Sequence, residues 1–527
     1  MKKGKTKLSI LICVFILCGA ISSAKPKSDK ASGANKSKTS FNQAANAREL
    51  VQKALAAMGG EEKIRELASI TLEGIGHQFA VEQSERPDGP FIVAYKQIKE
   101  IRDLKTERVR QTIEMRQGQV PNWSGSDLIV AGKVAAFERG GRAFPANIIA
   151  VENAERQFAL APEKILLTAL ESADLHLGKD ALMQSVNQRA VKFSWKNFPV
   201  TIYLNSNTNL PTAVETLSAS PYEHFWTIWG DFTTRTFYTY WTLEPGGIRY
   251  PHQWDTERNN YPFESFTVTA LKLNEAVNPD SFKISDETRK AFEANKPVKI
   301  DDLPLGVPNR PAAEIAPGIV KIPGRWDIAF VRQADGIVII ESPISSGYSV
   351  KVLDEAKRRF PNEKIKAVIT TSDAFPHFGG VREYAAQGVP VYALDLNRPL
   401  LERVLSAPRK FYPDNLEKNH RKVKFNVVSQ KTVIGEGTNR MELYPFRTET
   451  GERMMMIYFP EHRMLYASDL IQRSREQFFM PQYLSEVMDA VKRENLSVET
   501  VFAMHLDKTN WSDVTEEVAK LTGETSR

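Results

Sequence analysis

Apolar and polar residues follow two different periods along this chain of 527 residues. In the N-terminal region, segments such as PVTIYLN and SFTVTALKL alternate apolar and polar positions or concentrate β-branched and aromatic residues, which predicts antiparallel strands. An amphipathic helix precedes them, with apolar residues at helical spacing from Leu50 to Met58 and an end at Gly59-Gly60. This region is therefore predicted to be a curved antiparallel sheet with helices packed on one side.

The C-terminal region alternates strand patterns with helix patterns. The segments DGIVIIES, KAVITT and PVYAL read as strands, separated by a helix with Leu353 on its apolar face and a helix that ends at Gly388. The segment MMMIYFPEHRMLYASDL predicts two strands joined at Pro460-Glu461, TVFAMHL predicts another strand, and a final helix follows Asn510. This is an α/β pattern with a largely buried sheet.

Changes in composition divide the chain into segments. The first residues combine four lysines, an apolar run from Leu8 to Ala20 and a small-residue cleavage site ending at Ala24, as secretory signals do. A polar stretch rich in Lys and Ser follows, and a Pro-rich stretch separates the two regions. The predicted order is signal peptide 1–24, flexible tether 25–46, N-terminal antiparallel β domain 47–285, Pro-rich linker 286–312 and C-terminal domain 313–527.

The signal predicts a secreted or periplasmic protein, cleaved after Ala24. Both cysteines, Cys13 and Cys18, lie inside the signal, so the mature chain has neither disulfides nor thiolate metal ligands. Lipidation of Cys18 is disfavoured because the preceding Phe-Ile-Leu lacks small residues. The apolar run is shorter than the roughly 20 residues of a transmembrane helix, so no stable membrane anchor is expected.

The charge distribution gives no reason to expect nucleic-acid binding. The formal net charge of +6 falls to +2 without the four signal lysines, and the remaining basic residues are interspersed with acidic ones. The patterns GxSxG, GxxxxGK[ST] and GxGxxG do not occur between a predicted strand and helix, so ordinary serine-hydrolase and nucleotide chemistries lose their usual support.

The N-terminal region resembles the LolA-like family of periplasmic lipoprotein carriers. The resemblance rests on ALAAMGG in the first helix, the strand and turn VTIYLNSNTNLPTAVE, the strand GGIRYPHQWD and the closing KLNEAVNPDSFKI. A half-open barrel buries acyl chains in that family, so the resemblance implies a lipid-like or other apolar ligand, or a purely structural module. The many aromatic residues here, among them Trp226 and Trp229, are expected to pack in the core rather than line a ligand groove.

The C-terminal region resembles the metallo-β-lactamase superfamily. The stretch TTSDAFPHFGG keeps Thr371, His377, Gly379 and Gly380 in register with the family motif THxHxDHxGG. The hairpin YFPEHRMLYASD and a late strand ending in His follow in family order, over about residues 313–527. The resemblance implies an αββα sandwich with metals at the sheet ends, so the predicted fold class is α+β in two domains.

The resemblance also implies which metal ligands are absent and which are kept. Ser372 and Ala374 stand where the two His of HxH bind the first metal, and RTETG at 447–451 lacks the third His, so that site is lost. For the second site Pro376 replaces the Asp of the motif. The remaining implied ligands are His377, Asp469 and His505.

Two imidazoles and one carboxylate suit one zinc ion with water in the fourth position, or Fe(II) in a facial arrangement. Asp469 would then also orient the attacking water as the catalytic residue. The same residues fit a metal-free interpretation, in which His377 bonds a helix terminus, Asp469 holds a turn and His505 is a core histidine. Asp373 is not expected to replace the lost aspartate, because neighbouring residues of an extended strand point to opposite faces.

Two functional hypotheses follow. The first is an exported hydrolase with at most one metal, whose activity is slow or confined to activated esters, thioesters or lactones, or which is catalytically inactive. The second is a non-enzymatic protein of the cell envelope that binds a small or lipid-like ligand or serves as a scaffold.

Overall fold

The computed structural model describes residues 33–83, 89, 91–117, 122–474 and 477–523. The predicted signal peptide lies outside them, as does the start of the predicted tether. Helices and strands of several sheets make up the described part, which is a mixed architecture. Over the described ranges, no helix combines the length and apolar character needed to cross a membrane.

The N-terminal region forms one antiparallel sheet, with fourteen strands among the described residues. Its first long strand, Ser69–Phe79, pairs with both the second and the last, so the ends of this region meet in the middle of the sheet. The strands are Ser69–Phe79, Val93–Asp103, Arg108–Gln117, Ser124–Ala131, Val134–Arg139, Arg142–Pro145, His176–Leu177, Ala181–Met183, Val186–Trp195, Phe198–Asn205, Pro211–Ala219, Asp231–Leu243, Arg249–Arg258 and Tyr261–Leu273.

Helices pack on this sheet through apolar faces. The first helix, Gly33–Ala57, buries Val51 and Ala54 against the helix Ile165–Glu171 and nearby strands. It begins at Gly33, inside the segment predicted as a flexible tether. Once the apolar face has docked, each residue added to the helix gains a hydrogen bond without a new nucleation cost. The remaining helices of this region are Glu61–Arg65 and Ile148–Leu160, and the helix Asp286–Ala294 lies within the predicted linker.

The C-terminal region contains a seven-stranded and a six-stranded sheet. The seven strands are Ala313–Ala316, Ile319–Ile322, Ile328–Gln333, Gly336–Ile340, Ile365–Thr370, Val391–Leu394 and Phe425–Val428. The six strands are Thr432–Ile434, Met441–Pro445, Met455–Phe459, Met464–Tyr466, Thr500–Ala503 and Leu506–Asn510. A short pair, Gln472–Ser474 and Gln477–Phe479, forms a separate two-stranded sheet, and Gln472 also makes a parallel β-bridge with His505.

The two sheets share one buried apolar cluster, in which Ile340 and Ile369 of the first meet Leu443 and Ile457 of the second. Each sheet carries helices on its other face. The helices are Ser346–Arg359, Phe375–Phe378, Val381–Gln387, Arg398–Ser406, Asn415–Lys418, Tyr483–Arg493 and Trp511–Thr522.

The predicted hairpin at Pro460, the helix end at Gly388 and the final helix after Asn510 are confirmed.

The N-terminal and C-terminal regions are joined by buried polar contacts. The guanidinium of Arg409 is buried and donates to the carbonyls of Thr227 and Ile228, at 3.0 and 2.7 Å. The Asp231 carboxylate accepts from the backbone N–H of Lys410 at 2.6 Å. A buried charge is costly unless it is hydrogen-bonded, so these bonds hold the two surfaces in one relative position.

Candidate metal centre

The motif loop, residues 371–380, follows the buried strand Ile365–Thr370 and contains one helical turn, Phe375–Phe378. Pro376 lies in the first turn of this helix, where a missing N–H costs no hydrogen bond. Its carbonyl accepts from the Ile344 N–H at 2.8 Å. The proline is therefore accommodated in the loop, and the buried His377 follows it.

His377, Asp469 and His505 lie together. Nε2 of His377 is 3.3 Å from Oδ2 of Asp469, and Nε2 of His505 is 3.4 Å from Oδ1. One potential ligand atom from each residue lies within 4.8 Å of the other two. Three sequence-distant residues thus form a single cluster.

Backbone pairing between two strands brings the second and third residues together. Asp469 follows the strand Met464–Tyr466, and His505 lies between Thr500–Ala503 and Leu506–Asn510. The first two of these strands pair in parallel, and the N–H of Met504 donates to the Ser468 carbonyl at 3.2 Å. Neighbouring strand ends therefore present a carboxylate and an imidazole to the same point.

A buried lysine supports the turn that carries His505. Nζ of Lys321 donates to the Leu506 carbonyl at 2.8 Å and contacts the carboxylates of Asp327 and Asp507 at 2.5 and 2.7 Å. The N–H of Asp327 donates to the Met504 carbonyl at 3.2 Å. The residues on both sides of His505 are thereby held by the seven-stranded sheet.

Charge pairing dominates the electrostatics of the cluster. Burial lowers the pKa of His377, but the charge and hydrogen bond of Asp469, with the charges of Glu341 and Asp373, outweigh it and the pKa is raised. Burial raises the pKa of Asp469, yet the charge of His377 brings it below its usual value. Burial lowers the pKa of His505, and the charge of Asp469 only partly offsets it. Both shifts favour the charged forms of His377 and Asp469.

A carboxylate that the sequence patterns did not single out lies beside this cluster. Glu341 is fully buried, and its carboxylate accepts from the hydroxyls of Thr371 and Tyr466, the latter at 2.9 Å. The Thr371 hydroxyl also contacts that of Ser468 at 2.8 Å. Burial raises the pKa of Glu341, although the charge of His377 opposes this. In the sequence, Glu341 could have been noticed as an acidic residue that directly follows the apolar run of the strand DGIVIIES.

Two residues of this network have left-handed backbone conformations. Glu341 has φ +73° and Ser468, directly before Asp469, has φ +52°. Such conformations cost non-glycine residues roughly 1–3 kcal/mol and persist where surrounding contacts enforce them. The hydrogen bonds through Thr371 connect both residues and supply such contacts.

Asp373 is not one of the three clustered residues, but the alternation of an extended strand is not the reason. The strand ends at Thr370, so the alternation of extended residues no longer applies at Asp373. Its carboxylate is buried and near enough to raise the pKa of His377. The prediction about Asp373 assumed that side chains alternate between two faces of a strand, and the strand has already ended at Thr370.

The positions implied for the first metal have other contacts. Ser372 accepts a hydrogen bond from the N–H of Ala374 at 3.2 Å, and Arg447 pairs with Asp395 at 2.8 Å. Among the described residues, one group of three potential ligands occurs, and it is the cluster above.

The donor set and spacing of the cluster fit one small cation. Two ligand atoms bound tetrahedrally at roughly 2.1 Å lie roughly 3.4 Å apart. The imidazole nitrogens of His377 and His505 lie 3.3 and 3.4 Å from different oxygens of Asp469, Oδ2 and Oδ1 respectively. Nδ1 of His377 is buried and has no hydrogen-bond partner within the described part of the chain. The cluster therefore engages the Nε2 side of the ring and leaves the buried Nδ1 without a partner among the described residues.

No family model matches the chain, and no curated protein matches it. The chain is similar to solved structures over about two fifths of its length. One is a metallo-beta-lactamase from Pontibacter korlensis, 15% identical, covering 41% of this chain and 99% of that chain with a TM-score of 0.31. Another is the DIM-1 metallo-beta-lactamase, 12% identical, covering 41% and 97% with a TM-score of 0.30.

A third is the stereoselective inverting sec-alkylsulfatase Pisa1 from Pseudomonas sp.. It is 15% identical, and the match covers 42% of this chain and 42% of that chain with a TM-score of 0.30. The chain therefore spans less than half of that protein's length.

Proposed function

We propose that the protein is an exported hydrolase with one metal ion, held by His377, Asp469 and His505 in a metallo-β-lactamase-type αββα domain. The observation that carries the proposal is the convergence of these three side chains, with ligand atoms within 4.8 Å of one another. Two facing sheets with helices on their outer faces support the domain type.

Each residue has a separate task in this proposal. Zinc or Fe(II), when bound, supplies Lewis acidity that polarises a substrate oxygen and lowers the pKa of water. Asp469 would serve as a ligand and orient the attacking water, and His377 and His505 would supply the two imidazole ligands. The buried Glu341 network positions the backbone beside Asp469 through Ser468.

The substrate class follows from the donor count. With Ser372 and Ala374 at the first-site positions, no second ion shares the charge of the leaving oxygen. Hydrolysis is then confined to substrates with good leaving groups, namely activated esters, thioesters and lactones.

Metal content tests this proposal. The native chain, purified without chelator, is expected to carry about one zinc or iron per chain by mass spectrometry. His505→Ala removes a ligand and is expected to lose that metal. His420→Ala, a change at an exposed histidine, serves as the matched control and keeps it. A metal-free native protein with no hydrolysis of a thioester and lactone panel contradicts the proposal.

A second function, ligand binding in a LolA-like N-terminal domain, is favoured by a cavity of about 410 Å³ between the large sheet and the helix Ile148–Leu160. Its lining is largely apolar and includes Ile98, Val109, Leu128, Val130, Val214 and Phe266. Arg156 also lines it, and burial above all lowers the pKa of this residue. Such a cavity suits a lipid-like ligand with an anionic group.

Native mass spectrometry of the full chain tests this function. A co-purifying lipid is expected, and Ile113→Trp, which places a larger side chain in the lining, is expected to reduce it. Trp123→Ala, at an exposed aromatic residue, is the control. Lipid-free native protein that takes up no added fatty acid would rule this function out, without bearing on the metal centre.

A further inference from the structure

A second cavity, of about 570 Å³, lies where the N-terminal region, the linker and the C-terminal region meet. Tyr222 and His224 line it from the first, Phe292 and Leu303 from the linker, and Arg325 from the C-terminal region. Ligand pockets usually have roughly 300–1,000 Å³ and favour places where domains meet. We call this space the junction cavity.

The protonation of His224 follows from its contact with Arg325. Nη1 of Arg325 lies 2.6 Å from Nε2 of His224, and a guanidinium can only donate. Nε2 therefore accepts, and the ring proton is on Nδ1, which is buried and has no partner among the described residues. Burial, and then the charge of Arg325, lowers the pKa of His224 to about 4, so the ring is neutral near pH 7.

The charge at the junction cavity is positive. Arg325 is exposed, and the contacts recorded for its guanidinium are with two neutral groups, the His224 ring and the face of the Trp326 ring. Lys296 also lines the cavity, and Glu293 is the one carboxylate in the described lining. Two cations against one anion leave a net positive charge, and the guanidinium can form paired hydrogen bonds with a carboxylate.

The rest of the lining suits an apolar body. Ile148, Phe292, Ile300 and Leu303 contribute aliphatic and aromatic surface. Val298 also lines the cavity and is 52% exposed, so an aliphatic side chain is left in contact with water there. Apolar surface in the same cavity as an exposed cation matches an amphiphilic anion better than a purely polar or purely apolar molecule.

We propose that the junction cavity binds a small amphiphilic carboxylate, whose carboxylate pairs with Arg325 and whose apolar part contacts Phe292, Val298 and Leu303. The site is separate from the candidate metal centre, since His377, Asp469 and His505 do not line it. It is also separate from the cavity of the large sheet, which has a different lining.

Titration calorimetry of the full chain with octanoate and with uncharged octanol tests the charge requirement. Octanoate is expected to bind at least about tenfold more tightly than octanol, because only the carboxylate pairs with the guanidinium. Equal affinity for the two, or no octanoate binding, overturns the proposal.

Variants locate the site. Arg325→Gln is expected to weaken octanoate binding about tenfold and to leave octanol binding unchanged. Val298→Asp is expected to weaken octanoate binding, because the new carboxylate repels the carboxylate of the ligand. Arg249→Gln, at another exposed arginine, is the matched control. Both test positions are exposed, so folding is expected to be kept. If Arg156→Gln abolishes binding while Arg325→Gln does not, the ligand occupies the cavity of the large sheet and the proposal is wrong.

Discussion

Trp229 of the N-terminal region meets Phe375 of the motif loop edge to face, with ring centroids 5.7 Å apart and an interplanar angle of 76°. Trp226 approaches the same phenylalanine ring at 5.8 Å. A Cβ added to Gly379 would lie 2.9 Å from Cγ2 of Ile228, so the segment 226–229 packs closely along the loop. The large-sheet region therefore forms one wall of the loop that carries His377.

Trp229→Ala is expected to loosen the motif loop. Removing a buried tryptophan costs about 3–5 kcal/mol, and the space it leaves adjoins Phe375. Hydrogen exchange measured on a peptide covering residues 371–384 should become faster, and metal content should fall. Trp123→Ala, at a tryptophan that is 44% exposed, should change neither measurement. If hydrogen exchange in the loop peptide is unchanged in the Trp229 variant, Trp229 does not restrain the motif loop.

Lys321→Met is expected to displace the turn that carries His505. The variant keeps the stem volume but leaves the buried Asp327 carboxylate without its nearest cation, a loss of about 3–5 kcal/mol for a broken buried pair. Chemical denaturation should report the stability loss, and cobalt titration should report weaker binding at the centre. Lys520→Met, on an exposed helix, is the control. Native-like cobalt affinity in the Lys321 variant would contradict a positioning role.

Acid should weaken the contact between Asp414 and its two buried arginines. Burial raises the pKa of Asp414, but the hydrogen bond of Arg382 and the charges of Arg409 and Arg382 lower it to about 2. The pKa of Asp414 is lower in the folded chain than in the unfolded chain, where it is near 3.8. The ionised carboxylate therefore stabilises the fold fully at pH values above 3.8, and this stabilisation is lost as the pH falls toward 2. The shift corresponds to about 2 kcal/mol.

Denaturation curves of the native chain and of Asp414→Asn, compared between pH 7 and pH 2, check this expectation. The variant should be less stable at pH 7, and the difference in the free energy of unfolding should shrink below pH 4. A difference that is constant over this range would show that the ion pair does not contribute.

Limited proteolysis tests the predicted division into domains. Residues 293–299 of the linker are exposed, whereas Ile300 is buried and its N–H donates to the Pro221 carbonyl at 2.8 Å. Subtilisin is therefore expected to cut within 293–299. The two fragments should stay associated without denaturant, because Arg409 and Asp231 bond across the junction. Resistance of this segment to cleavage would count against separate domains.

The sequence by itself determined most of the secondary structure and the identities of the three clustered residues. Period-two patterns such as SFTVTALKL became strands, and the helix end at Gly388 needed only a residue that tolerates φ +75°. Local signals suffice here because backbone propensity and apolar period act over a few residues. His377, Asp469 and His505 were identified through a resemblance in chain order, which local pattern alone does not supply.

Tertiary structure alone decided which charges and surfaces meet. Glu341 lies beside His377 because a strand ends there, and Trp229 reaches Phe375 across a junction between distant parts of the chain. Asp373 acts on His377 because the strand stops at Thr370. Such contacts depend on how sheets and helices pack over long sequence separations, and burial then sets the strength of each charge interaction.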